Sequence, residues 1–287
     1  MITKDKVTEI FCIIDEFCKH LHVELAKNLQ LPSHDGKGKL CRNRKGRLSD
    51  SEIMTILLCY HFGTYRNFKE YYLNCIHGQL RQEFPDAVSY NRFVELMPRV
   101  FFHLMAFMKI YAFGRCSGIS FVDSTMIPVC HNVRRYFNKV FAGLARSGKG
   151  TMGWCHGFKL HLLCNDTGEI ITFCLTPANV DDRDKRVWSV FTKVLYGKVF
   201  ADRGYIKQEL FGHLFDKGIH LVHGLKARMK NKLMPMWDRI MLRKRYIIEC
   251  INELLKNKAN LVHSRHRSVH NFIMNLCSAL AAYCFFE

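Results

Sequence analysis

The stretch Gly118-Ile119-Ser120-Phe121-Val122-Asp123-Ser124-Thr125 decides how the rest of the chain is read. A short apolar run of this kind is the pattern of a buried strand, and it ends on a carboxylate followed by two hydroxyl residues. A second stretch, Lys198-Val199-Phe200-Ala201-Asp202-Arg203-Gly204-Tyr205, has the same shape: a β-prone run, then Asp, then a turn signal. Two strands thereby deliver two carboxylates to one end of one sheet. Glu249 follows in a strongly helical segment behind a basic tract. Three carboxylates on two strands and a helix make a site for hard divalent cations, because Mg²⁺ prefers oxygen ligands and keeps positions open for phosphate and water.

Outward from these strands, a second strand is expected over residues 126–130, after the one that ends at Asp123. Residues 157–164 alternate, turn at Asn165-Asp166-Thr167-Gly168 and return over 169–175, a hairpin signal. Helix is expected over 182–195, strand over 198–201, helix over 207–215 and strand over 219–223. The result is an α/β mixed sheet flanked by helices, with the Asp-bearing strand ends on one edge. Residues 134–153 hold Arg134, Arg135, Lys139, Arg146 and Lys149 among glycines with no clear period, and read as a loop ordered on binding.

The first hundred residues read differently. Val7, Ile10, Phe11, Ile14, Phe17, Cys18 and Leu21 have helical spacing. Residues 32–47 are polar and basic, a solvated linker or a phosphate-contacting arm. From Leu48 a helix begins with Ser49 and Glu52 at capping-box spacing, another is expected over 68–77, and a third starts near Ser89 and bends or ends at Pro98. This all-helical region is compatible with a helix-turn-helix and equally with a plain bundle. A division into an all-helical region over 1–114 and a mixed-sheet domain over 115–287 is expected.

Composition narrows the partner. The 287 residues contain 43 Lys+Arg against 25 Asp+Glu, a net charge of +18, which points to a polyanion, most often nucleic acid. The most apolar segments, 100–113 and 271–286, are interrupted or shorter than the ~20 residues a membrane span needs. Met1-Ile2-Thr3-Lys4-Asp5-Lys6 leads into an amphipathic helix rather than a signal peptide, so a cytoplasmic location is expected. None of the 13 Cys are spaced C-x-x-C; most sit in apolar runs as small hydrophobes, and no Cys/His cluster has zinc-ligand spacing.

A long helix is expected over 238–257. At ~100° per residue Arg245, Glu249 and Lys256 share one face, and Ile248, Ile251 and Leu255 lie roughly opposite. Taken alone, that face reads as solvated with an i,i+4 ion pair. Other acids compete for the site: Asp181, Asp182 and Asp184 precede a helix and suit N-capping, and Glu253 lies one turn beyond Glu249. Lys159 and His161 alternate with Phe158 and Leu160, so they face one side of a strand together, toward solvent or toward DNA.

The order strand-Asp, strand-Asp, helix-Glu, with Arg-x3-Glu-x6-Lys at Arg245, Glu249 and Lys256, resembles the DDE transposases of bacterial insertion sequences. Phe121-Val122-Asp123-Ser124, Gly153-Trp154 with Gly157-Phe158-Lys159-Leu160-His161, and Ala201-Asp202-Arg203-Gly204-Tyr205 are most similar to the insertion-sequence 982 family. Where related transposases place Tyr three residues before the Arg, this chain has Leu242. The resemblance implies an RNase H-like catalytic domain in which Asp123, Asp202 and Glu249 hold two Mg²⁺ ions about 3.5–4 Å apart, with Mn²⁺ able to substitute. It implies cleavage at the ends of the element and strand transfer into target DNA. It further implies DNA contacts from Arg245, Lys256, Arg203, Lys159, His161 and Trp154, a homodimer on double-stranded terminal repeats, no membrane, and a bacterial, nucleoid-associated location. Two alternatives stay open: an RNase H-like nuclease without strand transfer, and a catalytically silent DNA-binding relic.

Overall fold

Val7, Ile10, Ile14 and Cys18 line the buried side of the first element, α1 (Lys4–Asn28), in a computed structural model that describes residues 2–28, 46–63, 65–150, 153–224, 233–262 and 266–286. The basic segment expected at 32–47 lies outside the described residues up to 45, as do Lys226, Arg228, Lys230 and Lys232. Next comes α2 (Asp50–Cys59), started by the expected capping box: Ser49 Oγ accepts from the Glu52 N–H at 3.1 Å, and Glu52 accepts from the Ser49 N–H at 2.7 Å. Residues 53–59 are all buried, so this helix is the one the other helices cover. Asn67 caps α3 (Phe68–Tyr71), which widens into a further helical stretch, Tyr72–Gln79. Ser89 caps α4 (Tyr90–Leu96), and Pro98 lies in a tight turn, Met97–Val100, that separates it from α5 (Phe101–Phe107). Tyr60, Tyr71, Tyr72 and Phe93 are fully buried among these helices. Residues 1–110 form one compact unit together with 270–287.

The second compact unit, Tyr111–Val269, contains the sheet. Its strands are β1 (Ile119–Cys130), β2 (Arg146–Gly150), β3 (Gly153–Asn165), β4 (Ile170–Pro177), β5 (Gly197–Ala201) and β6 (Ile219–His223). The order is β2-β3-β1-β5-β6, and β4 shares with β2 the edge of β3 that β1 leaves free. β1 runs antiparallel to β3 and parallel to β5, which is parallel to β6. This mixed six-stranded sheet flanked by helices is the expected RNase H-like arrangement. On one face Val122, Val199 and Ala201 pack with Val187, Trp188 and Phe191 of α6 (Lys185–Phe191) and with Leu210 and Leu214 of α7 (Gln208–Phe215). The face bearing Phe121 and Phe200 receives α8 (Met236–Lys244) and α9 (Tyr246–Glu253), with Ile248 and Ile251 buried. Lys198 of β5 bonds to the buried carboxylate of Asp238 at 2.7 Å and fixes the start of α8. The last helix, α10 (Val269–Ala282), belongs to the first unit from His270 onward.

Three local expectations change. The strand carrying Asp123 does not end there, because β1 continues to Cys130 along β3 after its pairing with β5 has stopped. Part of the expected loop at 134–153 is strand: Arg146-Ser147-Gly148-Lys149-Gly150 has little β propensity, yet it pairs with β3 because glycine admits neighbouring backbone. A Cβ on Gly148 would stand 2.0 Å from the Ala178 carbonyl oxygen. The helix expected over 238–257 is broken at Arg245, where α8 ends and α9 begins. Among the described residues every cysteine is a free thiol, and no helix is long and apolar enough to cross a membrane.

Gly157 tests the pairing of β1 with β3, since a Cβ there would stand 2.1 Å from the Ile127 carbonyl oxygen on β1. Gly157→Ala is expected to lower stability by about 1–3 kcal/mol or more, read as a fall in melting temperature. Unchanged melting would show that β1 and β3 are not this close.

Candidate active site

Phe121 and Phe200 are the last residues paired between β1 and β5; Asp123 and Asp202 each lie two residues further on. The side-chain period of two puts both acids on the face that carries the Phe121 and Phe200 rings, at one position on neighbouring parallel strands. β1 continues past this point and leaves Asp123 largely buried; β5 ends, and Asp202 opens the turn Arg203–Tyr205 with its side chain exposed. One register therefore yields one buried and one open carboxylate.

From above, α9 supplies the third acid and its neighbours. Asn252 Nδ2 donates to Asp123 Oδ2 at 2.9 Å. Arg245 lies between the acids, with Nη1 3.8 Å from Asp123 Oδ1 and Nη2 bonded to Glu249 Oε1. The Arg245 side chain is 16% exposed and that of Glu249 is 55% exposed, so the pair runs from the interior to the surface. Burial pushes the Asp123 carboxyl up to about 6; the Arg245 guanidinium, the Ser124 N–H and Asn252 pull against it, while Glu249 adds to it.

Asp123, Asp202 and Glu249 do not draw within 4.8 Å of one another as a set. Like charges repel, and here Arg245 provides the positive charge between two of them. The donor set nonetheless fits a hard divalent cation. It consists of oxygens, Asp202 makes no side-chain capping bond, and Asn252 Oδ1 is buried without a hydrogen-bond partner beside Asp123.

A sequence profile for the transposase DDE domain matches residues 113–269, more than half of the chain. The chain belongs to the transposase DDE domain family. A search of curated proteins gives no match. Transposase activity and use of divalent metal follow at the level of the family.

Within this DDE domain the remaining candidates separate by exposure. Lys256 is half-buried just beyond α9, near enough to Cys155 to act on its thiol, and Arg203 is exposed with Nε 3.3 Å from where a Gly224 Cβ would stand. Trp154 is 63% exposed near the start of β3. Lys159 and His161 are buried rather than solvent-facing as their alternation implies, because β3 is an inner strand. Lys159 Nζ donates to the Val180 carbonyl at 2.8 Å and lies 3.1 Å from Asp182, while His161 Nε2 meets Thr176 Oγ1 at 2.9 Å. Burial holds the His161 imidazole well below its ordinary value, so the ring is neutral at pH 7. Asp184 caps α6, Asp181 pairs with Arg183, and Asp182 faces the Lys159 and His161 pair. Asn252, unmarked in the sequence reading, is the direct partner of Asp123.

The raised value for Asp123 sets a sign. A carboxyl whose folded value lies above the usual 3.8 binds protons more tightly in the fold, so metal-free stability falls as pH rises from about 4 through about 6 and then levels. In chelator, Asp123→Asn is expected to be more stable than wild type by about 1–3 kcal/mol at pH 7–8, with the difference vanishing toward pH 4. Urea unfolding at several pH values measures this, and a pH-independent difference would contradict it.

Proposed function

We propose that this chain is the transposase of a bacterial insertion sequence, of the insertion-sequence 982 type, which cuts DNA at the element ends and joins them to target DNA. The observation that carries the reading is the shared register of Asp123 and Asp202 beneath a helix that brings Glu249 and Asn252 over Asp123. Asp123, Asp202 and Glu249 are the residues that would hold two Mg²⁺ ions. Bound there, the ions would supply Lewis acidity at the reacting phosphate and a nucleophile at neutral pH. Asn252 orients the Asp123 carboxylate, and Arg245 holds Glu249 beside it, so the acids are placed before substrate arrives. Lys256 and Arg203 flank the acids as phosphate contacts.

Surface chemistry beyond the end of β1 and at the start of β3 favours nucleic acid. Tyr136, Phe137 and Trp154 are exposed, and Arg134, Arg135, Lys139 and Lys149 lie around them in the sequence. Aromatic faces interleaved with cations bind DNA through stacking and phosphate pairing. The excess positive charge of the chain supports this and makes binding steeply salt-dependent. In this reading the helical residues 1–114 recognise the terminal repeats and residues 115–287 carry the chemistry, with two copies acting on paired ends.

The test is cleavage and joining of a labelled duplex carrying the flanking repeat, in Mg²⁺. Wild type is expected to cut and join. Asp123→Ala, Asp202→Ala and Glu249→Ala are each expected to lose about 10²–10³-fold or more of the rate while still binding. Cutting without joining would point to a nuclease, and binding without cutting to a silent DNA-binding protein. Full activity in Glu249→Ala would move the third acid to Glu253.

A further inference from the structure

Three helices of the N-terminal unit bring His22, Asp50 and His103 to one point, although the residues are far apart in sequence. His22 lies on α1, Asp50 opens α2 and His103 lies in the first turn of α5. The two imidazoles face each other through Nε2 at 3.0 Å, and Asp50 Oδ2 is 3.7 Å from His22 Nε2 and 3.9 Å from His103 Nε2. A single point lies about 2.1 Å from all three atoms, the length of a zinc bond to imidazole nitrogen or carboxylate oxygen. We propose that His22, Asp50 and His103 form a binding site for a divalent transition-metal ion, zinc foremost, that ties α1, α2 and α5 together.

The donor chemistry selects the class of ion. Two imidazoles and one carboxylate suit zinc and its first-row neighbours, whereas Mg²⁺ favours an all-oxygen shell. The carboxylate is held for the role. Arg99 Nε donates to Asp50 Oδ1 at 2.6 Å and Arg99 Nη2 donates to the Leu48 carbonyl at 2.8 Å, which leaves Oδ2 directed at the imidazoles. An outer partner of this kind fixes a ligand before the ion binds. Asp50 and His103 are largely buried while His22 is about half exposed, so the site has a closed floor and a way in. Three protein donors leave a fourth position for water. The site shares no residue with the carboxylates of the DDE domain, and its three donors come from separate helices, so no ligand spacing appears in the sequence.

The competing arrangement is a proton shared between the imidazoles, and metal titration of the full-length protein separates the two. After dialysis against chelator, Co²⁺ and Zn²⁺ are added with millimolar Mg²⁺ present throughout to occupy oxygen-only sites. One equivalent of Co²⁺ is expected to give visible ligand-field bands without the near-ultraviolet charge-transfer band that a cysteine ligand produces. Zn²⁺ at about a hundredfold excess over its Kd is expected to raise the melting temperature by several degrees. His22→Gln, at an exposed position, should melt like wild type without metal yet bind Co²⁺ about a hundredfold more weakly or worse. Asp50→Asn should weaken binding likewise, and Asp123→Ala should leave it unchanged. Equal affinity in wild type and His22→Gln, a thiolate charge-transfer band, or no saturable binding at micromolar metal would each overturn the site. Since none of these readouts involves DNA cleavage, failure here leaves the transposase reading standing, and the reverse also holds.

Discussion

Parallel pairing between β1 and β5 stops at Phe121 and Phe200, and the chemistry of the sheet depends on where it stops. Had the pairing run further, Asp202 would sit inside the ladder with its neighbours covered; had it ended sooner, the two acids would lose their common register. β1 continues along β3 and takes Asp123 into the interior, while β5 turns away and leaves Asp202 at the surface. The buried acid is thus fixed and the open one accessible, a division of labour set by backbone hydrogen bonds.

Burying a carboxylate is costly unless the fold compensates. Here Asn252 of α9 and Arg245 just before it offset part of that cost, and α9 is seated by Ile248 and Ile251 pressing on the sheet. Lys198 and Asp238 anchor the preceding helix to the strand that delivers Asp202. Apolar packing therefore locates the polar groups, and the polar groups keep the acid in place. Lys159 and His161, buried on the inner strand, form a second polar cluster with the partly exposed Asp182.

Much of this was legible in the residues. The strand that stops just before Asp202, the hairpin with its Asn165-to-Gly168 turn, and the Ser49 and Glu52 cap are local signals, and the structure follows them. What escaped was set by tertiary contact. Arg146–Gly150 has the composition of a loop and becomes a strand where Gly148 admits the Ala178 backbone. Lys159 and His161 have the alternation of a half-exposed strand, and only the presence of neighbours on both sides buries them. Asn252 carries no charge and belongs to no motif, so its bond to Asp123 required the helix to be placed. His22, Asp50 and His103 meet only once three helices have packed.

Within α9, Glu249 and Asn252 are three residues apart beside Asp123, and Ile248 and Ile251, also three apart, are buried. In a helix a step of three keeps each pair on one side. A helix used this way is a ruler: substituting one residue changes one contact, but inserting or deleting one turns everything beyond it by ~100°. Side chains within α9, 246–253, can therefore be exchanged far more readily than its length can be altered. Insertions and deletions should accumulate instead in the connections between strands and helices, where no side chain is kept in phase with another.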